Sequence, residues 1–127
     1  MYRTSFAFLL AFMLCSPIVA QTANPYEGKW KLMFDGPRTP NLEGTVVVKG
    51  DGGTWNLDLT GQSRNACFKQ EAPIAVESAT AEELVFKVNR SKVLAGCEDT
   101  TMKFKKVDDK TLKLEARDGR VFTLIRQ

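Results

Sequence analysis

Thr101-Met-Lys-Phe-Lys-Lys-Val-Asp-Asp-Lys-Thr-Leu-Lys-Leu-Glu-Ala-Arg-Asp-Gly-Arg-Val-Phe-Thr-Leu-Ile-Arg126 holds three apolar–polar alternations in one run of chain. Met102 and Phe104 alternate with Thr101, Lys103 and Lys105. Leu112 and Leu114 alternate with Lys113 and Glu115, and Phe122 and Leu124 with Val121 and Thr123. A period of two with one apolar face marks antiparallel strands, packed on one side and wet on the other. Asp108-Asp109-Lys110 and Arg117-Asp118-Gly119-Arg120 separate the three runs as tight turns. The Asp-Gly pair predicts a two-residue primed hairpin, whose central positions need positive φ.

The same grammar extends upstream. Trp30, Leu32 and Phe34 alternate with Lys29, Lys31 and Asp35; Trp55, Leu57 and Leu59 with Thr54, Asn56 and Asp58; Leu84, Phe86 and Val88 with Val85 and Lys87. Thr45 to Lys49 and Ile74 to Glu77 add two further strands, and Ala66 to Lys69 is a candidate for a short one. Pro37-Arg-Thr-Pro40-Asn41, Lys49-Gly-Asp-Gly-Gly53 and Thr80-Ala-Glu-Glu83 supply the bends between them. Ser91-Lys-Val-Leu-Ala-Gly96 reads as the one short helical turn, with Ser91 as N-cap and Gly96 as its stop. Short strands at this spacing make a sandwich or a barrel. A meander without long crossovers closes most simply as a single antiparallel up-and-down β-barrel of about eight short strands, which is the all-β fold expected here.

Ahead of the strands, Met1 to Ala20 reads as a secretory signal peptide. Arg3 is followed by an apolar run from Phe6 to Leu14, a Ser16-Pro17 break and a small-residue site ending at Ala20. The apolar run is about half the length that spans a bilayer, so no stable membrane anchor is expected. Bulky Phe12-Met13-Leu14 precede Cys15, which argues against a lipidated cysteine at that point. Residues 21–127 are then one domain, periplasmic or secreted.

Arg3 is the only charged residue removed with the leader, so the formal charge falls from +3 to +2. So small an excess gives no case for nucleic acid. The late lysines, from Lys103 to Lys113, fit the wet faces of strands. Cys67 and Cys97 remain, and in an oxidising compartment they are expected to form one disulfide closing a loop of about 31 residues. A Cys-x-x-Cys redox spacing is absent, and two thiolates without His make a poor zinc site. Asp51 and Asp58 are too few for a calcium cage, so neither metal nor cofactor is expected.

The strands begin Tyr26-Glu27-Gly28-Lys29-Trp30 and end Phe122-Thr123-Leu124-Ile125-Arg126. A Gly-x-Trp on the first strand with an Arg near the end of the last resembles the calycin group: lipocalins, avidins and small bacterial metalloprotease inhibitors. The resemblance implies that Trp30 plugs one end of a barrel and that Arg126 stacks across it. On the residues alone, a core Trp30 and a solvated Arg126 stand as the alternative.

Such a device belongs to a fold and names no function. Catalysis is not expected, because the chain has no His and its carboxylates fall mostly in turns or on wet faces. The expected function is an exported protein-binding module of unknown partner, with an inhibitor as one form of it, that presents loops on a rigid platform. The loops are Gly36 to Asn41, Gly61 to Ala66 and Asn89 to Asp99, with Arg38, Arg64, Asn65, Arg90 and Lys92 as candidate contacts. The segment Gln21 to Pro25, which would enter an enzyme's cleft in the inhibitor families, holds no evident specificity residue. The alternative function is carriage of a small apolar ligand inside the barrel. It would need a deep apolar pocket lined by Trp55 and Phe86, whereas the many large apolar residues argue for a filled interior.

Overall fold

The computed structural model of the chain describes residues 23–36, 42–58 and 65–127. Each expected alternation becomes a strand: β1 Gly28–Asp35, β2 Leu42–Lys49, β3 Gly52–Asp58, β4 Ala72–Ala79, β5 Glu83–Val88, β6 Thr100–Asp108, β7 Thr111–Glu115 and β8 Val121–Arg126. Every strand pairs antiparallel with the next in sequence. β1 also pairs with β8, so the sheet is a closed eight-stranded up-and-down barrel.

That order sorts the connections to two ends. The segment before β1, the β2–β3, β4–β5 and β6–β7 turns, and Gln127 gather at one end. The β1–β2, β3–β4, β5–β6 and β7–β8 connections gather at the other. β3 and β4 pair only from Gly52/Ala75 to Trp55/Ala72. Beyond that point β4 is no longer opposite β3, and the helix α1, Ala66–Lys69, sits against β3 instead.

The interior is filled. Trp30, Leu32, Val46, Trp55, Leu84, Phe86, Phe104, Leu112 and Leu124 are essentially without solvent contact. Phe86 stacks on Phe104 at 5.6 Å between ring centroids, and Trp55 lies tilted against Phe86 at 5.9 Å. Trp55 faces Ala72 across the ladder, so the largest side chain is accommodated opposite one of the smallest. Its indole N–H has no hydrogen-bond partner among the described residues, a local cost accepted for the apolar volume it fills.

Three local readings differ from the structure. Ala66–Lys69 is helical, not extended, because the Asn65 side chain accepts a hydrogen bond from the Cys67 amide and starts a turn. The helical turn in the next connection is a 3-10 turn over Arg90–Lys92 that starts one residue before Ser91, and Ser91 does not cap it. The last hairpin has a three-residue loop, Arg117 to Gly119. The Gly119 amide donates to the Ala116 carbonyl, the Ala116 amide donates to the Arg120 carbonyl, and Gly119 takes φ +86°. The Asp-Gly pair therefore makes a turn ending in a left-handed residue, the other common hairpin solution. Asp118 draws the chain round by accepting from the Arg120 amide.

β2 and β3 cross most closely at two glycines. A Cβ on Gly53, which has φ +138°, would lie 1.8 Å from the Val47 carbonyl oxygen, and one on Gly44 would lie 2.4 Å from that of Asn56. Both obstacles are backbone and cannot swing aside. Gly53→Ala is therefore expected to destabilise the barrel by roughly 3 kcal/mol or more. Gly119→Ala meets nothing within 4 Å and should cost only about 1–2 kcal/mol for its left-handed backbone. Urea unfolding of the two variants compares these costs directly.

Candidate functional site

The two ends of the barrel are built from different materials. At the first end, the chain before β1 folds under the barrel. Tyr26 is buried, and its hydroxyl donates to the Thr80 carbonyl in the β4–β5 turn. Burial raises the Tyr26 pKa above its ordinary value. The Trp30 indole N–H donates to the Tyr26 carbonyl at 2.9 Å, deep in the protein. Arg126, directly opposite Trp30 in the β1–β8 ladder, lays its guanidinium over the indole, 4.3 Å from the ring centroid. The same guanidinium donates to the Glu27 and Pro25 carbonyls, both at 2.8 Å. Asn24 and Glu27 then bind the Gly50 carbonyl and amide of the β2–β3 turn. This end is a floor, with its polar groups turned inward onto one another. A half-open hollow of about 1100 Å³ beside it, lined by Tyr26, Val76, Thr80, Lys106 and Asp108 among others, mixes charges of both signs.

The second end is held by covalent chemistry. Cys67 on α1 and Cys97 after the 3-10 turn form a disulfide, with Cα atoms 5.6 Å apart. It joins the β3–β4 connection to the β5–β6 connection. Backbone bonds from Val93 and Leu94 to the Arg90 carbonyl, and from Cys97 to the Leu94 carbonyl, shape the loop between them. Asp99 closes the loop's base. Its carboxylate accepts from the Ser91 amide at 2.9 Å and from the Ser91 hydroxyl at 2.8 Å, and these two bonds hold its pKa below the ordinary carboxylate value.

On this frame three large apolar side chains, Phe68, Val93 and Leu94, face solvent. Arg90, by contrast, is only 7% exposed. Its guanidinium lies 5.1 Å from the Phe68 ring centroid and donates to the Thr100 hydroxyl at 3.0 Å. The floor end has an exposed large apolar residue too, Val107 at the close of β6; what distinguishes this end is that three such residues stand on covalently tied loops and that one of them, Phe68, lies against a buried cation.

Of the candidate contact residues, Arg90 and Lys92 sit together in the 3-10 turn, Arg90 buried and Lys92 exposed. Asn65 has its side chain engaged at the start of α1. Arg38 and Arg64 lie outside the described residues. Trp30 and Arg126 meet at the opposite end, away from these loops. Phe68, Thr100 and the Ser91–Asp99 pair were not legible as parts of one site. Phe68 sits in a segment whose composition reads as a strand, and Thr100 becomes relevant only once β5 and β6 place it opposite Val88. Among the described residues no three of His, Cys, Asp and Glu converge to hold a metal ion.

Trp30→Ala should cost roughly 3–5 kcal/mol by leaving a large cavity. Arg126→Ala should cost about 1–3 kcal/mol, since it removes the stacked cation and two hydrogen bonds; denaturant midpoints measure both. Reduction of the disulfide should remove up to about 3–4 kcal/mol, by the loop-closure estimate, while β-sheet circular dichroism persists. Asp99 has a depressed folded-state pKa, so its contribution is complete at neutral pH and is lost as pH falls through that depressed value. Protection of the Ser91 amide in hydrogen exchange should accordingly persist through the ordinary carboxylate range and collapse only where pH falls through that depressed value.

No protein-family model, no curated protein and no solved structure matches this chain.

Proposed function

We propose that this protein is an exported, non-catalytic binding module of calycin-like build that docks a protein partner on its disulfide-tied end. The reading is carried by one contrast. The barrel interior is occupied by its own side chains, while Phe68, Val93 and Leu94 stand in solvent on loops fixed by Cys67–Cys97. Loops that are already ordered lose little entropy on binding, so apolar contacts made there go largely into affinity. The disulfide is compatible with an oxidising extracellular compartment and so with the leader read in residues 1–20. The segment before β1 is not available as an inhibitory arm in this reading, because Asn24, Pro25 and Glu27 are all bonded to the barrel floor.

Carriage of a small apolar ligand ranks second. Trp55 and Phe86 would have to line its cavity, and they are packed against each other and against Phe104 and Phe122. The large hollow beside the floor is not lined by Trp55 or Phe86.

A photo-crosslinking residue at Leu94, in protein exported by its own leader, tests the proposal. The expected result is a discrete covalent adduct that excess unlabelled protein competes away. The same group at Asp109, on the opposite end, should give none. An apolar probe that binds at micromolar concentration and raises the melting temperature would overturn the docking reading in favour of carriage.

A further inference from the structure

Arg90 carries a full positive charge into a nearly closed site where, among the described residues, no carboxylate bonds to it. Among the described residues its guanidinium donates one hydrogen bond, to the neutral Thr100 hydroxyl, and it lies near the Phe68 ring. A guanidinium has five N–H donors, so most of its capacity is unspent among the described residues. The carboxylate that acts on it electrostatically is Asp99, and both oxygens of Asp99 are committed to Ser91. The segments outside the described residues, 1–22, 37–41 and 59–64, contain no Asp or Glu at all. This chain therefore has no further carboxylate to bring from those segments. The two internal ones contribute Arg38 and Arg64, which only adds positive charge.

Burying a charge without a counter-charge is costly, and the cost is recovered when a partner supplies the missing anion. Burial already pulls the Arg90 pKa below its ordinary value, the direction expected of an uncompensated cation. Planar N–H donors beside an aromatic ring suit a carboxylate, which can accept two parallel hydrogen bonds. The exposed Val93 and Leu94 follow in the same turn, their amides donating to the Arg90 carbonyl.

We propose that Arg90 is the receptor for an acidic side chain of the protein partner, gripped beside the Phe68 ring and flanked in the partner by apolar residues. The inference rests on reading this end as a protein-docking face and names what that face selects. Arg90 is then held ready by Thr100 and Phe68 and completes its hydrogen bonds only in the complex.

The test uses two capped peptides, acetyl-Leu-Glu-Leu-amide and acetyl-Leu-Gln-Leu-amide, titrated into the oxidised protein and followed by NMR at the Arg90 Nε–H. The glutamyl peptide should shift that resonance saturably and bind roughly tenfold or more tightly than the glutaminyl peptide, the difference expected of a charge-assisted hydrogen bond. Arg90→Gln and Arg90→Met should abolish the preference while melting at or above the parent temperature, because each removes an uncompensated buried charge. Equal binding of the two peptides, no shift at Arg90, or a preference that survives in Arg90→Gln overturns the inference. A fall in melting temperature in both neutral variants would also overturn it, by making Arg90 a structural pin. If the neutral variants do not fold, Arg90→Lys keeps the charge without the planar donors and should weaken the glutamyl peptide alone; unchanged selectivity then counts against the proposal. Crosslinking at Leu94 separates the two levels. Adduct formation undiminished by Arg90→Gln sinks the carboxylate inference and leaves the docking face standing, whereas absence of any adduct beside intact glutamyl selectivity sinks only the docking face.

Discussion

Closing an eight-stranded sheet into a barrel removes both of its edges, and here the closure depends on pairing β1 with β8. Those strands come from opposite ends of the folded chain, so their pairing carries the greatest loop-closure cost in the fold. The Trp30–Arg126 contact offsets that cost where the two strands meet. The indole fills the end of the barrel, and the guanidinium covers it and ties down the carbonyls of Pro25 and Glu27. The floor thus couples first strand, last strand and the chain that precedes them, and the remaining six strands need only pair with their neighbours.

A floor made this way frees the other end for a different task. Nothing in the barrel's closure depends on Phe68, Val93 or Leu94, so these positions can carry surface that stability would not select. The disulfide compensates for what that end lacks in burial. α1 contains no buried residue, and the loop from Ser91 to Gly96 is wholly exposed. Without Cys67–Cys97, two such segments would have little apolar packing to hold them in place. The proposed docking face is thus a set of tied loops on a filled barrel, and within it lies Arg90, whose neighbouring carboxylate, Asp99, is bonded to Ser91.

Most of the architecture was legible because strand alternation is a local code. Leu84, Phe86 and Val88, or Met102 and Phe104, declare their inward face from spacing alone, and all are buried. The failures of reading share a physical cause. Ala66–Lys69 has a strand-like composition but lies where the β3–β4 ladder ends, and with no partner strand the Asn65 cap turned it into helix. Ser91 looked like a cap, yet its hydroxyl serves Asp99, a bond between residues eight apart that only the folded loop brings together.

The sequence by itself determined the strand count, the inward and outward faces, the turn positions and the pairing of two cysteines, because each follows from short-range periodicity or from elimination. It also supplied both halves of the floor, Trp30 and Arg126, without showing that they meet. Only the tertiary structure decided which loops share an end, and hence that the exposed Phe68 lies against a buried Arg90. That arrangement depends on where antiparallel strands of fixed register deliver their connections, and on how far each connection is held from water. No spacing within the chain encodes such an exposure, since burial is a property of the neighbours a residue acquires on folding.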